Sequence, residues 1–233
     1  MYIQNIQTQF VLALILFLEL KRSEKGRLES FTRMTKVYPN ASFTGRVPPC
    51  KAEMEEEVMT VWKKSLIFNC NGFTVFDAKG DLVYRVDNYM EGNKGSILLM
   101  DANGKALLTI RRKRMSLGLG DNWLVYEGEE TMANPRLSVK KSLNIFNNKC
   151  LAYVTAGESD ARNNETMYEI EGSYSRRRCA VLDDRRRLAA EIKRKEGGRG
   201  VAFGTDIFRL VVQPNNIRTD FAMALVILLD QMF

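Results

Sequence analysis

VFDAKGDLVYRV (Val75–Val86), LMDANGKALLTI (Leu99–Ile110) and VLDDRRRLAAEI (Val181–Ile192) render one pattern three times. Each is an apolar pair, an aspartate, a short turn and a second strand. Asp77, Asp101 and Asp183 start the turns, where a short acceptor side chain can bond back to the backbone. Gly80 and Gly104 follow three residues later, where a type I turn ends and a residue with positive φ closes the hairpin. The third copy has Arg186 at that place, so its turn is expected to differ. The second strands agree face by face. Leu82, Tyr84 and Val86 correspond to Ala106, Leu108 and Ile110, and again to Leu188, Ala190 and Ile192. Alternation of period two with one apolar face marks half-buried strands. A chain built from such hairpins is an antiparallel all-β domain.

Working outward, strand-like stretches recur with short gaps. They read as Val58–Trp62, Ser65–Asn69, Phe73–Asp77, Leu82–Asn88, Ser96–Asp101, Ala106–Arg112, Trp123–Tyr126, Leu137–Phe146, Leu151–Thr155, Met167–Tyr174, Cys179–Leu182, Leu188–Lys195 and Asp206–Val212. Many short strands with regular turn signals make a sandwich or a barrel. The end of the chain departs from this. Thr219–Phe233 reads TDFAMALVILLDQMF, without Gly or Pro, after a Pro214-Asn215-Asn216 turn. It reads as a helix, with Thr219 or Asp220 as its N-cap. Phe221 to Leu229 shows no polar face, and a helix apolar all round must be buried by protein or by lipid. Its length of roughly 22 Å falls short of the ~30 Å hydrocarbon core, which favours burial in protein. A helix surrounded by strands implies a barrel closed around it.

The 233 residues suit one domain, and the 45% hydrophobic fraction can fill its core. A net charge of +7 favours anionic partners: lipid headgroups, nucleic acid or acidic proteins. There is no histidine, which removes Ser-His-Asp and Cys-His catalysis and His-ligated zinc. Cys50, Cys70, Cys150 and Cys179 form no CxxC pair, so neither a metal nor a redox role is expected, and no cofactor. Reduced thiols fit a cytoplasmic or nuclear protein. The apolar run Phe10–Leu18 is too short to span a membrane. It also lacks the preceding basic residue and following cleavage site of an export signal. Residues 1–33 are therefore expected to be an extension outside the fold, with the domain over 34–233.

Four segments resemble the plant LURP-one-related family. They are TVWKKSLIFNCNGFTVFDAKGDLVYRVDNY (Thr60–Tyr89), ILLMDANGKALLTIRRKRMSLG (Ile97–Gly118), WLVYEGE (Trp123–Glu129) and DIFRLVVQPNNIRTDFAMALVILLDQMF (Asp206–Phe233). The resemblance implies a closed barrel of about twelve antiparallel strands around a buried C-terminal helix, the Tubby C-terminal-like fold. It also implies kinship with phospholipid scramblases and Tubby-like membrane-tethered transcription factors, and a defence-related role in plants. The family's biochemical activity is not implied by it.

Arg111-Arg112-Lys113-Arg114 is the sharpest charge cluster and continues a strand, so Arg112 and Arg114 point one way and Arg111 and Lys113 the other. The functional reading is capture of phosphate on an anionic phospholipid surface, an inositol lipid included, for which the planar guanidinium is suited. The bland reading is a solvated strand end. Arg176–Arg178, Arg185–Arg187 and Lys193–Lys195 form a second basic region, read either as a nucleic-acid patch or as exposed hairpin tips. The glycines at 197, 198, 200 and 204 match no phosphate-loop or dinucleotide pattern, and no carboxylates pair for acid–base work. The chain reads as a non-enzymatic binding or regulatory protein at a membrane surface, in the cytoplasm or in the nucleus. A protein-interaction scaffold and a nucleic-acid-binding regulator remain as alternatives.

Overall fold

The computed structural model describes residues 56–66, 71–88, 96–114, 121–129, 134–142, 149–157, 166–195 and 204–233. The expected extension over 1–33, like Cys50 and Cys70, lies outside the described residues. Twelve strands follow in order: β1 (Glu57–Trp62), β2 (Asn71–Phe76), β3 (Leu82–Asn88), β4 (Ser96–Asp101), β5 (Ala106–Arg114), β6 (Asp121–Glu127), β7 (Leu137–Lys141), β8 (Cys150–Ala156), β9 (Thr166–Ser173), β10 (Arg178–Asp183), β11 (Leu188–Arg194) and β12 (Ile207–Val212). Each pairs antiparallel with the next, and β12 pairs with β1, so the sheet closes into an up-and-down barrel. Closure leaves no open sheet edge.

One helix, α1 (Thr219–Met232), follows β12. Ala222 through Leu229 are all buried, at 1% exposure or less. Eight consecutive buried residues cover every face of a helix, since 3.6 residues complete a turn. The barrel supplies the cover, through alternate residues of its strands: Met59 and Val61, Phe73 and Val75, Leu99, Leu108 and Ile110, Val139, Val154, Ile170, Val181, Ile192, Phe208 and Leu210 share one core with the helix. The expected all-β barrel around an apolar C-terminal helix is what the chain forms. The N-cap is Arg218, one residue before the expected candidates, with extended backbone and no capping side-chain bond. The Asp220 carboxylate accepts from the Phe221 amide at 2.8 Å instead, and it places a negative charge in the first turn.

Twelve of the thirteen strand-like stretches read from the sequence correspond to strands; of the other, Ser65–Asn69, residues 67–69 lie outside the described residues. Ser65 and Leu66 lie in a bend. The Lys63 amide still donates to the Asp206 carbonyl at 2.7 Å, but the Lys64 amide turns back onto the Trp62 carbonyl at 2.8 Å. The Ser65 hydroxyl then donates to the Asp87 carboxylate, tying the bend to β3. Likewise β7 ends at Lys141, short of the expected Phe146.

Strict up-and-down order sorts every connection to one of two ends. The proximal end, where α1 begins, carries the turns that follow even-numbered strands, and the distal end, where α1 finishes, carries those that follow odd-numbered strands. All three repeated hairpins therefore stand at the proximal end. In each, the aspartate carbonyl accepts from the amide three residues on, at 3.1 Å from Gly80, 3.1 Å from Gly104 and 3.0 Å from Arg186. In each, a carboxylate oxygen accepts from the amide four residues on, at 2.8, 2.9 and 2.7 Å. The strand register shifts at the matching place in all three, after Val75, Leu99 and Val181. This is a type I turn closed by a left-handed residue and a bulge.

The expectation of a different third turn is overturned. Arg186 adopts φ 62°, alongside 88° at Gly80 and 87° at Gly104. A side chain in this region costs roughly 1 kcal/mol. Two interactions offset it: the Arg186 guanidinium donates to Glu169 at 3.0 Å and to Glu171 at 2.9 Å, both on β9.

Candidate functional site

Charge divides between the two ends. At the proximal end carboxylates predominate; several of the cations beside them are engaged, while Lys79, Lys105 and Arg185 are exposed in the hairpin turns. Arg187 donates to Asp183 at 2.7 Å, and Arg218 donates to Glu127 at 2.7 Å and to Asp220. Burial alone would raise the Asp183 carboxyl, but the Arg187 amide and guanidinium and the Arg185 amide hold it below its ordinary range. The hydrogen bond from Arg218, against burial and with help from Arg136, holds Glu127 low as well.

The distal end is basic. Lys63 and Lys64 follow β1, Arg111 to Lys113 lie on β5, Lys140 and Lys141 on β7, Arg178 on β10, and Lys193 and Arg194 on β11; all are exposed. The acids near them are mostly set back or tied. Asp87 accepts from Arg85 and Ser65, and Asp230 accepts from Lys63 at 2.8 Å and from the Tyr174 hydroxyl at 3.1 Å. Glu191 is paired with Lys193 at 2.8 Å, and Asp206 is exposed.

The predicted site residues fall within this end. Arg112 follows Leu108 and Ile110 on the inward register and stacks over the Trp123 ring at 5.8 Å. Arg111 and Lys113 take the outward register, as alternation requires. Arg114 completes β5. The run thus splits between two faces, yet its three described side chains remain exposed because the strand has reached the barrel rim.

The second basic region does not stay together. Arg185 to Arg187 occupy the proximal end and Arg178, Lys193 and Arg194 the distal one. Two of its members are not exposed tips: Arg177 and Lys195 are each only 5% exposed. Arg177 sits with φ 52° in the β9–β10 turn. Its guanidinium lies 4.1 Å from the Tyr174 ring and 4.4 Å from Phe208, and Nε donates to the Thr205 carbonyl at 2.7 Å. Tyr174 in turn reaches Asp230 of α1, so this cation closes the barrel near the helix C-terminus, where positive charge is favoured. Sequence reasoning missed this role. The nearest signal is Tyr174 preceding the arginines, but Phe208 and Thr205 come from about thirty residues further along. Burial pushes the Tyr174 hydroxyl well above its ordinary range, with Asp230 adding to it.

An open cavity of about 420 Å³ lies at the proximal end, lined by Tyr84, Leu107, Pro214, Ile217, Arg218, Thr219 and Asp220. Burial, then the charges of Asp220 and Glu57, push the Tyr84 hydroxyl up to about 12, so it stays protonated and is no general base at neutral pH. Arg218 is held by carboxylates and offers little to an anion. Cys150 and Cys179 are buried and unpaired; burial raises both thiols, Cys179 to about 11. Among the described residues no group of three or more metal-ligating side chains converges. No described helix is long and apolar enough to cross a membrane.

The sequence model of the LURP-one-related family matches residues 57–230. Protein LURP-one-related 8 of Arabidopsis thaliana is 50% identical over 204 residues, covering 86% of this chain and 98% of that protein. Protein LURP-one-related 17 of the same plant is 43% identical over 187 residues, covering 75% and 82%. An X-ray structure of an Arabidopsis thaliana protein superposes with a TM-score of 0.51 at 20% identity, over 76% of this chain and 90% of that one. That likeness concerns the fold, a Tubby-like barrel closed on a C-terminal helix.

Proposed function

This chain belongs to the LURP-one-related family, and on that premise we propose that it is a non-enzymatic regulator that binds the surface of anionic phospholipid membranes. The observation that supports this reading most is the β5 run, where Arg111, Arg112 and Lys113 are consecutive and exposed at the barrel rim. Guanidinium groups bond phosphate oxygens through two parallel N–H donors, which suits headgroups carrying phosphomonoesters, inositol lipids among them. Each basic side chain near an anionic surface contributes about 1 kcal/mol, and salt screens it.

Co-sedimentation with vesicles tests the reading. The wild-type chain is expected to bind phosphatidylcholine vesicles containing a phosphatidylinositol bisphosphate, to bind them less as salt rises, and to leave pure phosphatidylcholine vesicles in the supernatant. Arg111→Ala with Lys113→Ala should weaken binding roughly tenfold or more at low salt, with an unchanged melting temperature. Equal binding to neutral and anionic vesicles would refute the proposal.

A further inference from the structure

The distal basic residues do not lie on one side of the barrel. β5, β7, β10 and β11 are spread over half of the closed strand order, so Arg111, Lys140, Arg178 and Arg194 cannot all face a plane that touches the barrel wall. They share only an end. Resting on the lipid-surface reading above, we infer that the barrel docks end-on. The described distal cations face the anionic bilayer, with the C-terminus of α1 toward the lipid and the aspartate hairpins away from it.

Two further observations point the same way. First, the opposite end is acidic, so the molecule is electrically polar along the barrel, and a negative surface attracts one end and repels the other. The polarity is written into the strands. Several odd-numbered strands run out into cations, as at Lys63-Lys64, Lys140-Lys141 and Lys193-Arg194, while β4, β6 and β10 end at Asp101, Glu127 and Asp183 and Asp77 follows β2. Second, the distal end exposes apolar surface among its cations. Leu66 is 44% and Phe233 52% exposed. Lys141 Nζ lies 4.1 Å from the Phe233 ring, and Lys64 Nζ lies 5.4 Å from the half-buried Trp62 ring. Cations interleaved with aromatic and aliphatic side chains suit the interface between headgroups and acyl chains. A nucleic-acid backbone offers nothing to Leu66.

Three matched proteins test the inference. Lys140→Glu/Arg178→Glu/Arg194→Glu reverses charges at the distal end and leaves the β5 run intact. Lys79→Glu/Lys105→Glu/Arg185→Glu makes the same change in net charge at the proximal end. Binding to phosphatidylcholine vesicles with and without phosphatidylserine is measured for both and for the wild type. The distal variant should bind at least roughly tenfold more weakly, and the proximal variant within about threefold of wild type. Equal losses mean that net charge alone acts, and overturn the inference. An unaffected distal variant beside a wild type that still prefers anionic vesicles also overturns it, while leaving the β5 reading in place. A wild type that ignores vesicle charge fails that reading first and takes the end-on geometry with it. Loss of duplex-DNA binding in the distal variant, with vesicle binding unchanged, would assign the face to nucleic acid and overturn the inference. Brominated acyl chains supply an independent readout: they should quench wild-type tryptophan fluorescence on anionic vesicles, and Trp62→Phe should remove most of the quenching, since the other tryptophan, Trp123, is only 7% exposed. Binding without quenching would place the distal end away from the lipid.

Discussion

Three hairpins at the proximal end are closed by bonds inside their own turns, whereas described contacts at the distal end reach residues far away in sequence. At the proximal end three aspartates each bind the amides of their own turn, within four residues of sequence. At the distal end the bend after β1 is held by Asp87 of β3, the β9–β10 turn by Thr205 and Phe208, and the end of α1 by Lys141, whose Nζ donates to the Met232 carbonyl at 3.0 Å. Of the proximal cations, Arg187 is paired within its own hairpin, Arg186 with the neighbouring β9, and Arg218 with Glu127 of β6. Long-range closure leaves many lysines and arginines at the distal rim exposed. The two ends differ in the sign of the charge in excess: carboxylates at the proximal end, lysines and arginines at the distal one.

The largest test of this contrast concerns the element the ends share. Leu225, 1% exposed in the middle of α1, belongs to the core that the helix shares with the barrel strands. Leu225→Asp buries an unpaired charge at a cost of several kcal/mol, and both ends are expected to unfold together. Hydrogen exchange decides it: proximal hairpins that kept their protection in this variant would make the ends separate units.

Glycines at the two ends provide the next test. A Cβ on Gly72, near the distal end, would stand 1.8 Å from the Val86 carbonyl oxygen and 3.3 Å from the Ser65 Cβ. Gly72→Ala must therefore move backbone, and we expect a loss of about 3 kcal/mol in chemical denaturation. Gly104, at the proximal end, has φ +87° and open space around its missing Cβ. Gly104→Ala should cost only about 1 kcal/mol, the conformational penalty alone. Equal costs would mean that the backbone around Gly72 yields as readily as the open turn at Gly104.

A smaller effect concerns pH. Burial raises the Cys179 thiol, on β10 beside the Arg177 turn, to about 11, above the ordinary value of 9.0. The folded chain then holds this proton more tightly than the unfolded chain does. Its contribution is complete below about pH 9 and lost as pH rises toward 11, on the order of 2 kcal/mol. Cys179→Ala should flatten the fall in melting temperature across that window while lowering it slightly at neutral pH. An identical alkaline slope in the variant would place the loss in the other groups that burial raises, Cys150, Tyr84, Tyr168 and Tyr174.

Much of this was legible in the residues. The Asp-x-x-Gly turns and period-two strands were readable because turn chemistry and side-chain alternation are local properties. The burial of α1 was readable because an apolar helix without a polar face has no other stable place in water. The third turn was misread because an arginine at positive φ is disfavoured locally. Glu169 and Glu171, which engage Arg186, are neighbours only through the pairing of β9 with β10. Arg177 and Lys195 read as solvated for a similar reason: an arginine between two aromatic rings looks like any other arginine in the chain.

The candidate site shows the same division. Residue order by itself determined that cations follow some strands and acids follow others, and that Arg111, Arg112, Lys113 and Arg114 prolong a strand. Antiparallel pairing of each strand with the next decided that all odd-numbered strands finish at one end, which turns an alternation along the chain into a separation of charge in space. The physical reason is that antiparallel pairing reverses direction at every connection, whereas closure of β12 onto β1 depends on contacts between residues about 150 apart in sequence.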